Sequence, residues 1–288
     1  MTEQKSNKRF LEYFEKKIRQ TIRKQKLFTH KDRIAVAVSG GKDSISTLHV
    51  LSKLGYNIEA MLIEVSIAGY SDINLEKVKQ LCETNKIALH VLSFQEKFGK
   101  TLQDMHSALN NKGYSYSPCM LCGILKRYLM NKYTRQNKFD ALVTGHNLDD
   151  EAQAFVMNVF RNDFLLAARL GPQPGLVKQK DFVKRVKPMY YMLEEEIKRY
   201  SRLNNLPVNY GTCPLSKGAF RKDFKNMLND FENRHPSVKY NIIKFQEQMK
   251  EHIKLPEYEI QTCHLCGEPA SNETCKTCKI LEELKLTD

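Results

Sequence analysis

The hexapeptide Ser39-Gly40-Gly41-Lys42-Asp43-Ser44 follows a short apolar run, Arg33-Ile34-Ala35-Val36-Ala37-Val38. Paired glycines let backbone N–H groups turn inward, and a helix opening behind them presents partial positive charge, so the pattern suits phosphate. It has neither the Walker A spacing nor GxGxxG. The plainer alternative is a strand-to-helix turn capped by Ser39 or Asp43. A second such junction is Thr144-Gly145-His146-Asn147-Leu148-Asp149-Asp150-Glu151. Acids in a first helical turn favour the helix dipole; beside a nucleotide, Asp149 and Asp150 could instead hold Mg2+ or orient an attacking group.

The eight cysteines stand at 82, 119, 122, 213, 263, 266, 275 and 278. Cys119 and Cys122, two residues apart, can grip one metal, act as a redox pair or hold two corners of an iron–sulfur cluster. Cys213, isolated in Gly211-Thr212-Cys213-Pro214, could supply a third thiolate. Three thiolates on a 4Fe-4S cluster leave one iron open to a small species such as sulfide, while zinc with three cysteines and water is the competing arrangement. Cys263, Cys266, Cys275 and Cys278 form a double CxxC with the spacing of a small zinc ribbon, whose metal would supply much of its folding free energy. His264, beside a ligand, is expected to be exposed, and Cys82, in an apolar-periodic helix, to be core.

These residues need elements to position them. Residues 5–28 carry Phe10, Leu11, Phe14, Ile18 and Ile22 at near-helical spacing among many bases, a basic amphipathic helix that could lie on RNA or an acidic surface, or pack on the domain. Short apolar strands are expected at 33–38, 58–65, 88–92, 141–144 and 182–186, separated by lengths suited to crossover helices. That alternation predicts an α/β fold with a parallel sheet covered by helices on both faces. Ligands of such sheets bind outside the carboxyl ends of the strands, where Ser39-Gly40-Gly41 and Gly145-His146-Asn147 would meet in one cleft. Residues 164–187 read as a loop, 194–204 as a helix and 218–252 as polar helix. Three units are expected: a basic N-terminal segment over 1–32, a nucleotide-binding catalytic domain over 33–255 and a zinc ribbon over 256–288.

With 288 residues, 41% apolar and 27% charged, the chain can bury a full core without staples. No apolar run approaches the ~20 residues of a membrane span. No secretory h-region opens the sequence, so cytoplasm is the expected compartment, where CxxC pairs suggest metal before disulfides. Lys and Arg exceed Asp and Glu by 46 to 33, a net charge of +13 that points to a polyanion such as nucleic acid.

SGGKDS resembles the PP-loop of the ATP-pyrophosphatase superfamily. The order SGGKDS, PCxLCG, TGHNLDDEAQ, a lone later Cys and a double CxxC closely resembles the TtuA/NcsA-type tRNA-uridine 2-sulfurtransferases, over residues 33–278. The resemblance implies that Ser39, Gly40, Gly41, Lys42, Asp43 and Ser44 bind ATP with Mg2+, and that backbone near Ile63 and Gly145 frames the adenosine. It implies that Lys126 and Asp150 are catalytic, that Cys119, Cys122 and Cys213 hold a 4Fe-4S cluster, and that the ribbon holds Zn2+. The expected reaction adenylates the C2 oxygen of a tRNA uridine and replaces it with sulfur, giving 2-thiouridine. The expected partners are tRNA, a sulfur donor (sulfide or a ubiquitin-like thiocarboxylate protein) and possible second copies in a homodimer, with no membrane. Relatives often carry another zinc site before the PP-loop; this chain has no cysteine before Cys82. Two alternatives stand: a cluster-free thiolase with Cys119 or Cys213 as persulfide nucleophile, and a non-enzymatic zinc-ribbon RNA-binding protein.

Overall fold

The computed structural model describes residues 3–175, 183–216, 220–252 and 261–286. In chain order the first half runs α1 (Glu3–Lys24), β1 (Ile34–Val38), α2 (Lys42–Lys53), β2 (Ile58–Glu64), α3 (Tyr70–Asn85), β3 (Leu89–Ser93), α4 (Phe94–Phe98), α5 (Leu102–Asn111) and α6 (Pro118–Gln136). Then follow β4 (Ala141–Val143), α7 (Leu148–Phe160), α8 (Phe164–Ala168), β5 (Lys184–Val186), α9 (Glu194–Leu203), α10 (Phe220–Arg234) and α11 (Val238–His252). The last segment contains β6 (Gln261–Thr262), β7 (Pro269–Ala270) and α12 (Lys276–Glu283).

The first five strands form one parallel sheet in the order β3-β2-β1-β4-β5. Successive side chains of a strand point to opposite faces, and β1 divides accordingly. Ile34, Val36 and Val38 enter a cluster with Phe14, Ile18, Ile45, Leu48, Val78 and Ile197, from α1, α2, α3 and α9. Ala35 and Ala37 face the opposite cluster, with Met105, Leu121, Leu125 and Ile280 from α5, α6 and α12. Both faces are therefore covered, which is why these strands read as continuous apolar runs. The basic helix α1 packs on the domain: Phe14 and Ile18 are fully buried, and the Phe14 ring stacks on Tyr200 at 4.0 Å.

The order also sets the site. From β1 the chain moves outward through β2 to β3, then crosses back to β4 on the other side of β1. The carboxyl ends of β1 and β4 flank a topological switch point, where a crevice opens.

Strand ends differ from the sequence expectation by one residue, except that β5 starts at Lys184, two residues after its expected start at Phe182, which lies outside the described residues. The stretch read as loop from 164 contains α8, because Asp163 caps it through Oδ1 to Leu166 N at 3.0 Å. Five residues are too few for a periodic signal. The expected start of the ribbon at 256 also lies outside the described residues.

Gly40 has φ +76°, and a Cβ there would lie 2.6 to 2.9 Å from Oδ1, Cα and Cβ of Asn74 on α3. Gly40→Ala thus combines left-handed strain with a collision against helix backbone. We expect it to lower the melting temperature by about 5 to 10 °C; an unchanged melt would show that α3 can yield there.

Candidate active site

The crevice holds a cavity of about 290 Å³ lined by Ala37, Val38, Ser39, Gly41, Asp43, Ser44, Met61, Ile63, Lys126, Met130, Thr144, Gly145, His146, Asp150 and Arg221. Its apolar wall comes from β1, β2 and α6; its polar wall comes from the two strand-to-helix junctions. Gly41 is the extended N-cap of α2, and Ser44 Oγ accepts from Ser39 N at 3.0 Å and donates to Gly41 O at 3.1 Å. The serines thus fix the loop and leave its wall to phosphate. Gly145 closes the opposite side: a Cβ there would lie 2.9 Å from Ser44 N and 3.0 Å from Asp43 C, so only glycine lets the two junctions meet this closely.

Lys42 turns away from this wall. Its Nζ donates to Glu194 Oε1 at 2.7 Å and to Asp43 Oδ2 at 2.9 Å. Burial works against its charge, but these carboxylates outweigh it and keep the ammonium well above its ordinary range. Glu194 also receives Lys225 Nζ at 2.8 Å. Burial favours its neutral form, yet Lys225 and Lys42 together hold its pKa down at about 2. Asp43 is pushed up by burial and by Asp150, against the pull of Lys42. Asp43 and Asp150 lie on one wall of the cavity, an arrangement that could hold a divalent cation together with substrate phosphates.

The first turn of α7 fans its three acids onto three different cations. Asp149, 3% exposed, pairs with Lys239 of α11 and accepts Glu194 N at 2.7 Å. Glu151 pairs with buried Lys187 at 2.7 Å. Asp150 lines the cavity and meets Arg221 of α10 at 2.9 Å. Asn147 caps the helix through Oδ1 to Asp150 N, and its Nδ2 donates to Asp43 Oδ1 at 2.9 Å, tying the junctions together. Of the two neighbouring aspartates, Asp149 is therefore structural and Asp150 faces the cavity. His146 sits at the cavity mouth with Nδ1 2.9 Å from Thr144 Oγ1, and the crowding there lowers its pKa, favouring the neutral ring.

The cysteine pair is presented by α6. Ser117 caps the helix by accepting Met120 N at 3.2 Å, and Pro118 opens it. Cys119, Cys122 and Lys126, spaced three and then four residues apart, share one face. Cys213 approaches from the other side: Asn209 N donates to Gly40 O at 2.9 Å, and the turn after it brings the Cys119 thiol to Leu215 O at 3.7 Å. Cys122 and Cys213 pack against the same apolar cluster. The Cys119 thiol is pushed up by burial and by Cys213, and that of Cys122 by burial and, despite Lys126, by Cys213 and Cys119. Cys213 is near enough to act electrostatically on Cys119 and Cys122, so one metal body could take all three as thiolates. Among the described residues, the ribbon cysteines form the one group of three or more ligand residues whose donor atoms all lie within 4.8 Å of each other. Cys119, Cys122 and Cys213 would be the residues to hold an iron–sulfur cluster. Cys82, buried in α3, leaves three thiols for it.

The ribbon is a different centre. Four thiolates on zinc at about 2.3 Å would stand about 3.8 Å apart, and Cys266 and Cys275 are 3.7 Å apart. Burial opposes charge on Cys263, but N–H groups of Cys275, Cys266 and Leu265 outweigh it and bring that thiol down to about 6. Arg135, near the far end of α6, donates to Gly267 O and Cys266 O and pairs with Glu268 at 2.7 Å. His264 is exposed and bonds Glu273 O. Stripping zinc should accelerate amide exchange over 263–278 while β1 and β4 stay protected, as measured by mass spectrometry. Unchanged protection in the ribbon would show that it folds without metal.

The structure brings Ser39, Gly41, Asp43, Ser44, Ile63, Lys126, Gly145 and Asp150 to one cavity. It sets Gly40 against Asn74 and Lys42 against Glu194, off the cavity wall. Sequence reasoning places Asn147 in the cleft but assigns nothing to Glu194, Asn209, Arg221, Lys225 and Lys239. The acidic run Glu194-Glu195-Glu196 opening a helix was the one signal available.

Among known proteins, the PP-loop domain family matches residues 10–210. The tRNA-5-methyluridine(54) 2-sulfurtransferase of Pyrococcus horikoshii is 39% identical over 272 residues, 94% of this chain and 85% of that protein. The cytoplasmic tRNA 2-thiolation protein 1 of Drosophila melanogaster is 34% identical, over 96% of this chain and 80% of that one. Among solved structures, the U34-tRNA thiolase NcsA of Methanococcus maripaludis, determined with its 4Fe-4S cluster, is similar at a TM-score of 0.84 and 28% identity, covering 98% of this chain and 90% of that chain.

Proposed function

The chain belongs to the PP-loop family and, within it, to the tRNA 2-sulfurtransferases, and from that premise we propose that it adenylates the C2 oxygen of a tRNA uridine and replaces that oxygen with sulfur. The observation that carries this is α6, whose one face presents Lys126 to the nucleotide cavity and, one and two turns earlier, Cys122 and Cys119 to the neighbourhood of Cys213. Activation and sulfur delivery share a boundary one helical turn wide.

The chain's own groups divide the work. Ser39, Gly41 and Ser44 line the phosphate end, while Ala37, Met61, Ile63 and Met130 offer an apolar seat for the base of ATP. Lys126 stands where negative charge develops as the phosphorus is attacked, and a fixed cation in a cavity lowers that barrier without reorganising. Asp43 and Asp150, on one wall of the cavity, would hold the Mg2+ that accompanies the phosphates. Cys119, Cys122 and Cys213 would hold the iron–sulfur cluster, which would supply a sulfur-carrying centre for the transfer. The apolar residues around Cys122 and Cys213 keep water from competing for the activated carbon. Sulfur comes from sulfide or from a ubiquitin-like thiocarboxylate protein. The working compartment is the cytoplasm, the one in the name of the fly relative.

The test is anaerobic reaction of the iron-loaded protein with unthiolated tRNA, ATP, Mg2+ and sulfide, followed by mass spectrometry of digested nucleosides. AMP and 2-thiouridine should rise together. RNA binding without either product would overturn the enzymatic reading in favour of a binding role. Products from iron-free protein bearing sulfane sulfur would replace the cluster with a persulfide.

A further inference from the structure

We propose that Arg221 is a phosphate-responsive arginine supplied to the cavity by α10: its guanidinium rests on Asp150, and a polyphosphate draws it away, freeing the Asp150 carboxylate for the cation that accompanies the phosphates. The inference rests on the ATP-dependent reading above and adds a residue to it. Residue 221 lies beyond the segment matching the PP-loop domain, which ends at 210. The arginine is thus an addition to the nucleotide-binding frame from a later helix.

Charge on the wall is the first argument. Lys126 and Arg221 are the Lys and Arg residues lining the cavity, against Asp43 and Asp150. Lys42 is occupied by Asp43 and Glu194. As it stands the wall is close to neutral, whereas a triphosphate brings several negative charges. It can be met if the guanidinium changes partner and a cation takes its place on the acid.

The second argument is geometric. Arg221 Nη2 donates to Asp150 Oδ1 at 2.9 Å and to Asp150 O at 3.0 Å, and Nε donates to Gln153 Oε1 at 3.1 Å. A guanidinium has five N–H donors, and Nη1 bonds nothing among the described residues. Two donors therefore remain available at the cavity edge, and the planar fork suits phosphate oxygens.

The third argument is a contrast of burial along the α10–α11 pair. Lys239 to Asp149 is sealed, with side chains 7% and 4% exposed, and fixes the pair to α7. Arg221 to Asp150 is open, at 44% and 30%. An ion pair so exposed is weak in water and is readily exchanged for a multiply charged ligand. The buried link anchors the helices and the exposed link moves.

The experiment measures binding of inorganic pyrophosphate, ATP and adenosine by calorimetry without RNA, on the full chain and on Arg221→Ala, Arg221→Lys, Asp150→Asn and the Arg221→Ala/Asp150→Asn double variant. Arg221→Ala should weaken pyrophosphate and ATP by about tenfold to a hundredfold and leave adenosine unchanged. Arg221→Lys should recover part of the loss, since it keeps the charge without the fork. Without Mg2+, Asp150→Asn should tighten pyrophosphate severalfold by releasing the guanidinium, and the double variant should lose most of that gain. A purely structural contact would not produce this non-additivity. Lys222→Ala, an exposed neighbour on α10, should bind all three ligands as the unaltered chain does. Wild-type pyrophosphate affinity in Arg221→Ala, or equal tightening in the single and double Asp150 variants, would overturn the proposal. Wild-type protein that binds ATP but thiolates no tRNA would overturn the functional reading alone, leaving these affinities to decide the role of Arg221.

Discussion

Cys213→Ala is expected to strip the iron centre and reduce tRNA thiolation by more than about a thousandfold, while ATP affinity changes by less than about threefold and zinc stays in place. The separation follows from how the residue is mounted. The segment before it is fastened to the PP-loop through main-chain atoms, Asn209 N to Gly40 O, and the turn after it closes from Ser216 N to Cys213 O at 3.0 Å. None of these bonds uses the thiol, so removing sulfur leaves the loop's support intact. The ribbon has its own four thiols, joined to the opposite end of α6. Metal analysis of anaerobically loaded protein, paired with ATP calorimetry, reads all three quantities. Iron retained at the wild-type level with undiminished thiolation would remove Cys213 from the centre.

How much of this arrangement could be read in advance depends on whether a residue's partner lies at a fixed spacing. SGGKDS and GHNLDD stood out because a strand end followed by a helix start is a local event, and the parallel fold then sends both to the same edge of the sheet. The ribbon stood out because its four thiols lie within one short segment and are spaced as a tetrahedral metal requires. Arg221, Lys225 and Lys239 carried no such mark. They lie on helices that read as ordinary polar surface, and their acidic partners are 71, 31 and 90 residues away. Which helical turn meets which acid is set by tertiary packing, for which single-sequence periodicity has no signal.

Lys42 shows the same limit from the other side. Its place in the hexapeptide suggested a phosphate ligand, yet the first turn of α9 brings Glu194 close enough to take it. The motif established that a cation belongs at the mouth of the loop. It does not establish which way the side chain turns, because Glu194 comes from an element 152 residues away. The order of the sheet was likewise outside reach, because alternation of strands and helices does not distinguish an order of 3-2-1-4-5 from other doubly wound sheets.

Lys126→Ala should give the mirror image of the cysteine variant: iron retained, AMP formation reduced by about a hundredfold to a thousandfold, and thiolation reduced with it. Lys126 lines the nucleotide cavity while lying four residues beyond Cys122 on the same helix face. Its ammonium also pulls the Cys119 and Cys122 thiols toward ionisation, against burial and the neighbouring sulfurs. With iron on Cys119 and Cys122, as proposed, that second influence would be superseded, because a metal–ligand bond holds a thiolate far more strongly than a distant cation does. What remains is the charge offered to the phosphorus, so the loss should fall on the rate of AMP formation more than on ATP affinity. Single-turnover AMP release measured beside iron content distinguishes the cases. If Lys126→Ala lost iron but released AMP at the normal rate, the lysine would belong to the sulfur side of α6, and the charge stabilising the transferred phosphorus would have to come from Arg221 and the bound cation.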